Sequence, residues 1–214
     1  MHTVKAKDMV VDMMDGDDML KIRNARLGKD LRIDTHTEND SVRLNRVVAG
    51  HDVLVQTGQG MDRVQMRGIS AGNDVGVDTG DDADTAVFNM VQARRDLFAK
   101  TGTGDDLLIM NRVKAQGQLL VDMDSGNDQA YIMQAKAHDV YVKTGDGSDN
   151  LYMSDVNTAG DLFAALGAGD DVFRISNSNA VNPFFDGGPG FDTIYDLPNA
   201  FDEVLASINF ELVI

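Results

Sequence analysis

Apolar residues recur at every second position in short runs along this chain, and a turn rich in Gly and Asp breaks the runs at a fixed interval. Asp52-Val-Leu-Val-Gln leads into Thr57-Gly-Gln-Gly-Met-Asp62, which opens a second run, Arg63-Val-Gln-Met. Alternation with period two marks a strand with one buried face, and Gly with Asp between two such runs marks a turn. The same phrase returns as Thr101-Gly-Thr-Gly-Asp-Asp106 and Thr144-Gly-Asp-Gly-Ser-Asp149. Its closing aspartates stand at Asp18, Asp40, Asp62, Asp84, Asp106, Asp128, Asp149, Asp171 and Asp192, 22 residues apart in six intervals and 21 in two. A fixed period of this length is the signature of a solenoid.

Reading down the repeats gives three apolar columns. One strand carries Val53 and Val55, Val75 and Val77, Val140 and Val142; the next carries Val64 and Met66, Leu108 and Met110, Phe173 and Ile175. A shorter third segment adds Val47 and Ala49, Ile69 and Ala71, Val91 and Ala93. These columns share one core only if successive units stack as coils, each strand pairing with its copy about 4.8 Å away. The sequence therefore predicts an all-β fold, a right-handed parallel β-solenoid of about nine coils and roughly 40 Å length. We expect the repeats to fill residues 1–201 and an apolar segment, 202–214, to cap the last coil. The first coil has no cap in the sequence, so a longer chain or a capping partner is expected there.

The turns Gly167-Ala-Gly-Asp-Asp-Val-Phe-Arg-Ile and Gly187-Gly-Pro-Gly-Phe-Asp-Thr-Ile-Tyr resemble the calcium-binding Gly-Gly-x-Gly-x-Asp repeats of the repeats-in-toxin family. The resemblance implies a parallel β-roll with calcium between neighbouring turns, held by aspartates and backbone carbonyls. The coil here is about 22 residues rather than nine, and Thr57, Thr79, Thr101 and Thr144 replace the first Gly. A physical argument leads the same way. Stacked aspartates about 4.8 Å apart repel by roughly 3 kcal/mol per pair at an effective dielectric near 20, and calcium takes 6–8 oxygen ligands. The candidate ligands are Asp62, Asp105, Asp106, Asp128, Asp146, Asp149, Asp170, Asp171 and Asp192. The alternative is that each Asp accepts hydrogen bonds from its own turn amides. A second column, Asp8, Asp30, Asp52, Asp74, Asp96, Asp139 and Asp161, reads as caps at strand entrances, with metal binding as the alternative.

Alternation also places Phe98, Leu120, Tyr131, Tyr141, Tyr152 and Phe163 outward, as apolar stripes that mark a protein partner, self-association or a glycan platform. The 35 Asp and Glu against 19 Lys and Arg give a net charge of −16, which disfavours nucleic acid. No apolar run is long enough for a membrane-spanning helix. There are no cysteines.

Together these features lead us to expect a non-catalytic, calcium-stabilised structural and binding module, extracellular or on the cell surface, from a secreted or adhesive bacterial protein. Two alternatives are carried. A carbohydrate-active β-helix would use the column Asp78, Lys100, Asp122, Lys143, otherwise a salt-bridge ladder. An ice-binding solenoid would use stacked threonines, although Thr35, Thr57, Thr79, Thr101 and Thr144 fall on inward or turn positions.

Overall fold

The computed structural model describes residues 3–196, 206–210 and 212–213. It is all strand, and every pairing between strands is parallel at a separation of one repeat. Two sheets face each other. Sheet 1 includes Met19–Leu27, Ser41–Ala49, Arg63–Ala71, Thr85–Ala93, Leu107–Ala115, Gln129–Met133, Asn150–Ser154 and Val172–Ser176; sheet 2 includes Leu31–Asp34, Val53–Gln59, Val75–Asp81, Leu97–Lys100, Gln118–Asp122, Asp139–Asp146 and Asp161–Ala168. The chain alternates between them, so each coil gives one strand to each sheet, as the 22-residue period requires.

Register follows the columns. Val53, Val75 and Leu97 stack in sheet 2, and Val64, Ala86 and Leu108 in sheet 1. All six are fully buried, in a single core whose largest members are Phe88, Phe173 and Phe185. Phe173 and Phe185 meet edge to face at 4.9 Å. Burying one such ring contributes on the order of 2–3 kcal/mol, and the sheets have no other way to cover their inner faces.

The third segment is a continuation of the sheet 1 strand beyond a bend. At the bend one residue per coil adopts a left-handed backbone: Asn24, Arg46, Gly68, Met90 and Arg112, with φ between 53° and 66°. The bend folds Val47 and Ala49, with their copies, back onto the core, where they are buried. In the coil that is one residue short, the strand splits into Gln129–Met133 and Lys136–Ala137, with Gln134 taking the same backbone.

The turns keep one shape even where glycine is missing. Gly58 and Gly60 have φ of 98° and 119°, and a Cβ on Gly58 would stand 1.8 Å from the carbonyl oxygen of His36 one coil below. His36, Glu38 and Asp82 occupy equivalent turn positions with φ of 70°, 76° and 81°. Neighbouring coils therefore hold these residues in a conformation that an isolated chain would avoid.

Ala206–Ile208 and Leu212–Val213 pair in parallel with Asn182–Asp186 and Thr193–Asp196. Stacking thus extends into the segment assigned to a cap. The boundary expected at 201–202 lies outside the described residues.

Candidate functional site

The closing aspartates form one buried file. Asp62, Asp84, Asp106, Asp128, Asp149, Asp171 and Asp192 are between 0 and 3% exposed, in a chain whose other acids lie mostly at the surface. In each, Oδ1 accepts the backbone N–H of the aspartate in the preceding coil. Asp62 N–H donates to Asp84 at 2.7 Å, Asp84 N–H to Asp106 at 2.7 Å, and Asp128 N–H to Asp149 at 2.8 Å. The expected cap therefore exists, but it joins neighbouring coils instead of closing within its own turn.

The second oxygen has no such bond. In Asp40, Asp62, Asp84, Asp106, Asp128, Asp149 and Asp171, Oδ2 is buried without a hydrogen-bond partner. Leaving a buried acceptor unmatched costs about 1–3 kcal/mol, and more when it is charged. Burial accordingly pushes the carboxyls of Asp62, Asp84, Asp106, Asp128, Asp149 and Asp171 upward from the ordinary aspartate value of 3.8. Asp62 and Asp106 rise to about 6, and Asp84, Asp128 and Asp171 to about 7. The preceding coil's N–H pulls the other way without cancelling the shift. Asp84, Asp128 and Asp171 are thus drawn toward the protonated form near neutral pH, and a cation on the file would offset the same burial cost.

The other candidate ligands point away. Asp105 is exposed, and its Oδ1 accepts both the backbone N–H and the side-chain amide of Asn127, which hold its pKa below the usual range. Asp170 is exposed and accepts the N–H of Phe191 at 3.0 Å. Asp146 is exposed as well. The pairs Asp105–Asp106 and Asp170–Asp171 therefore do not converge, because adjacent residues leave an extended turn on opposite sides. Among the described residues no group of three or more Asp, Glu or His gathers at ligand spacing. A cation on the file must draw its remaining oxygens from the turn backbone. That donor set, one carboxylate oxygen per coil plus carbonyls, suits a hard ion such as calcium.

The second aspartate column also bonds between coils, in the reverse direction. Asp52 N–H donates to Asp30, Asp74 to Asp52 and Asp96 to Asp74, at 3.3, 3.2 and 3.1 Å. These residues are half-buried, and no ligand is needed to satisfy them. The threonines form a third inner file. Thr57 and Thr79 are buried, and their hydroxyls donate to the carbonyls of Thr79 and Thr101 at 3.1 and 3.2 Å.

On the outer faces, Phe98, Leu120, Tyr141 and Phe163 line sheet 2, while Tyr131 and Tyr152 line sheet 1. All are half-buried, because each covers its neighbour. Tyr141 and Phe163 stand 6.3 Å apart, as do Tyr131 and Tyr152, and Phe163 stacks on Phe184 at 5.5 Å. The Phe98 ring lies over Gly76, whose missing side chain leaves the room. Asp78, Lys100, Asp122 and Lys143 stack in register. Among the described residues, however, the ion pairs of Lys and Arg are Arg32 with Asp30 and Arg95 with Asp74 and Asp96, so the expected ladder of ion pairs does not form. Sequence reasoning also missed the concentration of Lys and Arg on sheet 1. No family model, curated protein or solved structure matches this chain.

Proposed function

We propose that the chain is a non-catalytic structural and binding module, an acidic solenoid rigidified by calcium, in a secreted or surface-exposed bacterial protein. The observation that carries this reading is the buried file of aspartates, in which Asp62, Asp84, Asp106, Asp128, Asp149 and Asp171 each commit one oxygen to the coil before and leave the other unmatched. Oδ2 of Asp62, Asp106, Asp128, Asp149 and Asp171, with Asp192 at the end of the file, would hold the ions together with turn carbonyls. Bound calcium neutralises the file and joins neighbouring turns. The chain's own residues supply the frame: glycines bring the turns within reach of each other, and the threonine and aspartate hydrogen bonds fix their spacing. Extracellular sites of Kd about 10⁻⁴–10⁻³ M are filled outside cells, which supports an exported setting.

The test is calorimetric titration with calcium at pH 7.5, paired with thermal melts in calcium and in chelator. Heat of binding with several ions per chain, and a midpoint that falls sharply in chelator, support the reading. A midpoint indifferent to calcium, with protons taken up on folding at neutral pH, would instead identify a file of neutral carboxylic acids.

A further inference from the structure

The charge of this chain is divided between its faces. The strands of sheet 1 from Val4–Ala6 to Val172–Ser176 contain none of the 35 Asp and Glu, yet they hold twelve of the 19 Lys and Arg. The first three coils are the most basic. Lys21, Arg23, Arg43, Arg46, Arg63 and Arg67 are all exposed there, and among the described residues none forms an ion pair with a carboxylate. A depression of about 390 Å³ between the coils is lined by Arg23, Arg43 and Arg67 together with the amides of Asn45, Gln65 and Asn89.

We infer that this outer face binds an acidic polysaccharide lying along the rod axis. Three features select that ligand. Arginine dominates the face, and its planar fork matches a carboxylate or sulfate with two parallel hydrogen bonds. Neutral amides alternate with the guanidiniums, since Arg23, Asn45 and Arg67 stack in one register, and amides donate to and accept from sugar hydroxyls. The neighbouring file runs in register from Lys21 and Arg43, through Val87 and Ile109, to Tyr131 and Tyr152 and on to Arg174 and Tyr195, so that its later coils present aromatic faces that stack pyranose rings. Coils rise by about 4.8 Å, close to the advance of one pyranose, so a linear glycan meets one rung per sugar.

The face is also narrow for a duplex. Before the bend each strand is four or five residues wide, about 15 Å, and the acidic turns edge it on the entry side. A thin polyanion lies clear of that edge, whereas the phosphates of a duplex overhang it and meet like charge there. The inference depends only on the stacking of the coils and holds whether or not the aspartate file takes calcium.

The experiment uses the whole chain, saturated with calcium to keep the fold constant, and oligogalacturonate too short to gel with that ion. Heparin fragments, a neutral glucan oligomer and single-stranded DNA are the comparison probes. Oligogalacturonate or heparin should bind, more weakly as salt rises, and the neutral glucan should not. The triple variant Arg23→Gln, Arg43→Gln, Arg67→Gln should lose tenfold or more in affinity at an unchanged thermal midpoint. Tyr131→Ala with Tyr152→Ala should lose affinity while keeping the salt dependence. Unchanged binding by the arginine variant, no binding of either acidic glycan, or tighter binding of single-stranded DNA would overturn the assignment. The calcium reading is scored separately by the chelation melts, so either can fail alone.

Discussion

Asp84 gives the most direct test of the buried file. Its carboxyl is 2% exposed, and its Oδ1 accepts the N–H of Asp62. Replacing it with Asn keeps an oxygen for that bond and removes the charge. Burial raises its pKa from 3.8 to about 7, which corresponds to about 4 kcal/mol between the two protonation states. Because the folded-state value lies above the unfolded one, the stabilisation is complete below pH 3.8 and is lost as pH rises through about 7. In chelator at pH 8, Asp84→Asn should therefore be the more stable protein by up to about 4 kcal/mol, an increase of the order of 10 °C in midpoint for a chain this size. At pH 3.5 the two should melt together. Saturating calcium should narrow the difference at pH 8, since ions held by Asp62 and Asp106 on either side would offset the buried Asp84 charge. Thermal melts by circular dichroism at the two pH values, with and without calcium, read all three outcomes. An Asn variant that is less stable in chelator at both pH values would refute the reasoning, because it would mean that the carboxylate has a favourable partner in the folded protein.

The other tests bear on the frame. Gly145→Ala would place a Cβ 1.5 Å from the carbonyl oxygen of Asp124 at a φ of 105°, and should lower stability by about 3 kcal/mol or more in denaturant titration. Met90, left-handed at φ 56°, should tolerate Gly with a gain of up to about 1 kcal/mol, whereas Val, branched at Cβ, should cost about 1–2 kcal/mol. Phe88, fully buried between Met66 and Met110, should cost about 3–5 kcal/mol as Ala.

The architecture was legible because two signals, a 22-residue period and strict alternation, agree at nearly every coil. Val53, Val75 and Leu97 could point only one way. The bend in sheet 1 was hidden for the opposite reason: its left-handed position is held by Arg46, Met90 and Arg112 as well as Asn24 and Gly68, and most of these are not turn-forming residues. Neighbouring coils impose that conformation, so local sequence does not announce it. Within the turns, alternation already implied that Asp105 and Asp106 diverge; counting them as one acidic cluster overlooked that geometry. The basic face escaped notice because the charge was summed over the chain, when the informative quantity was its distribution between the two sheets.

The two aspartate columns donate in opposite senses along the rod, Asp62 N–H upward to Asp84 and Asp74 N–H downward to Asp52. A coil displaced toward either neighbour must break bonds of one polarity before it gains anything from the other. Peeling from an end is consequently resisted at two corners of the cross-section at once. Under tension such a rod should yield in abrupt steps of whole coils, a property suited to a spacer that must bear load between two attachments.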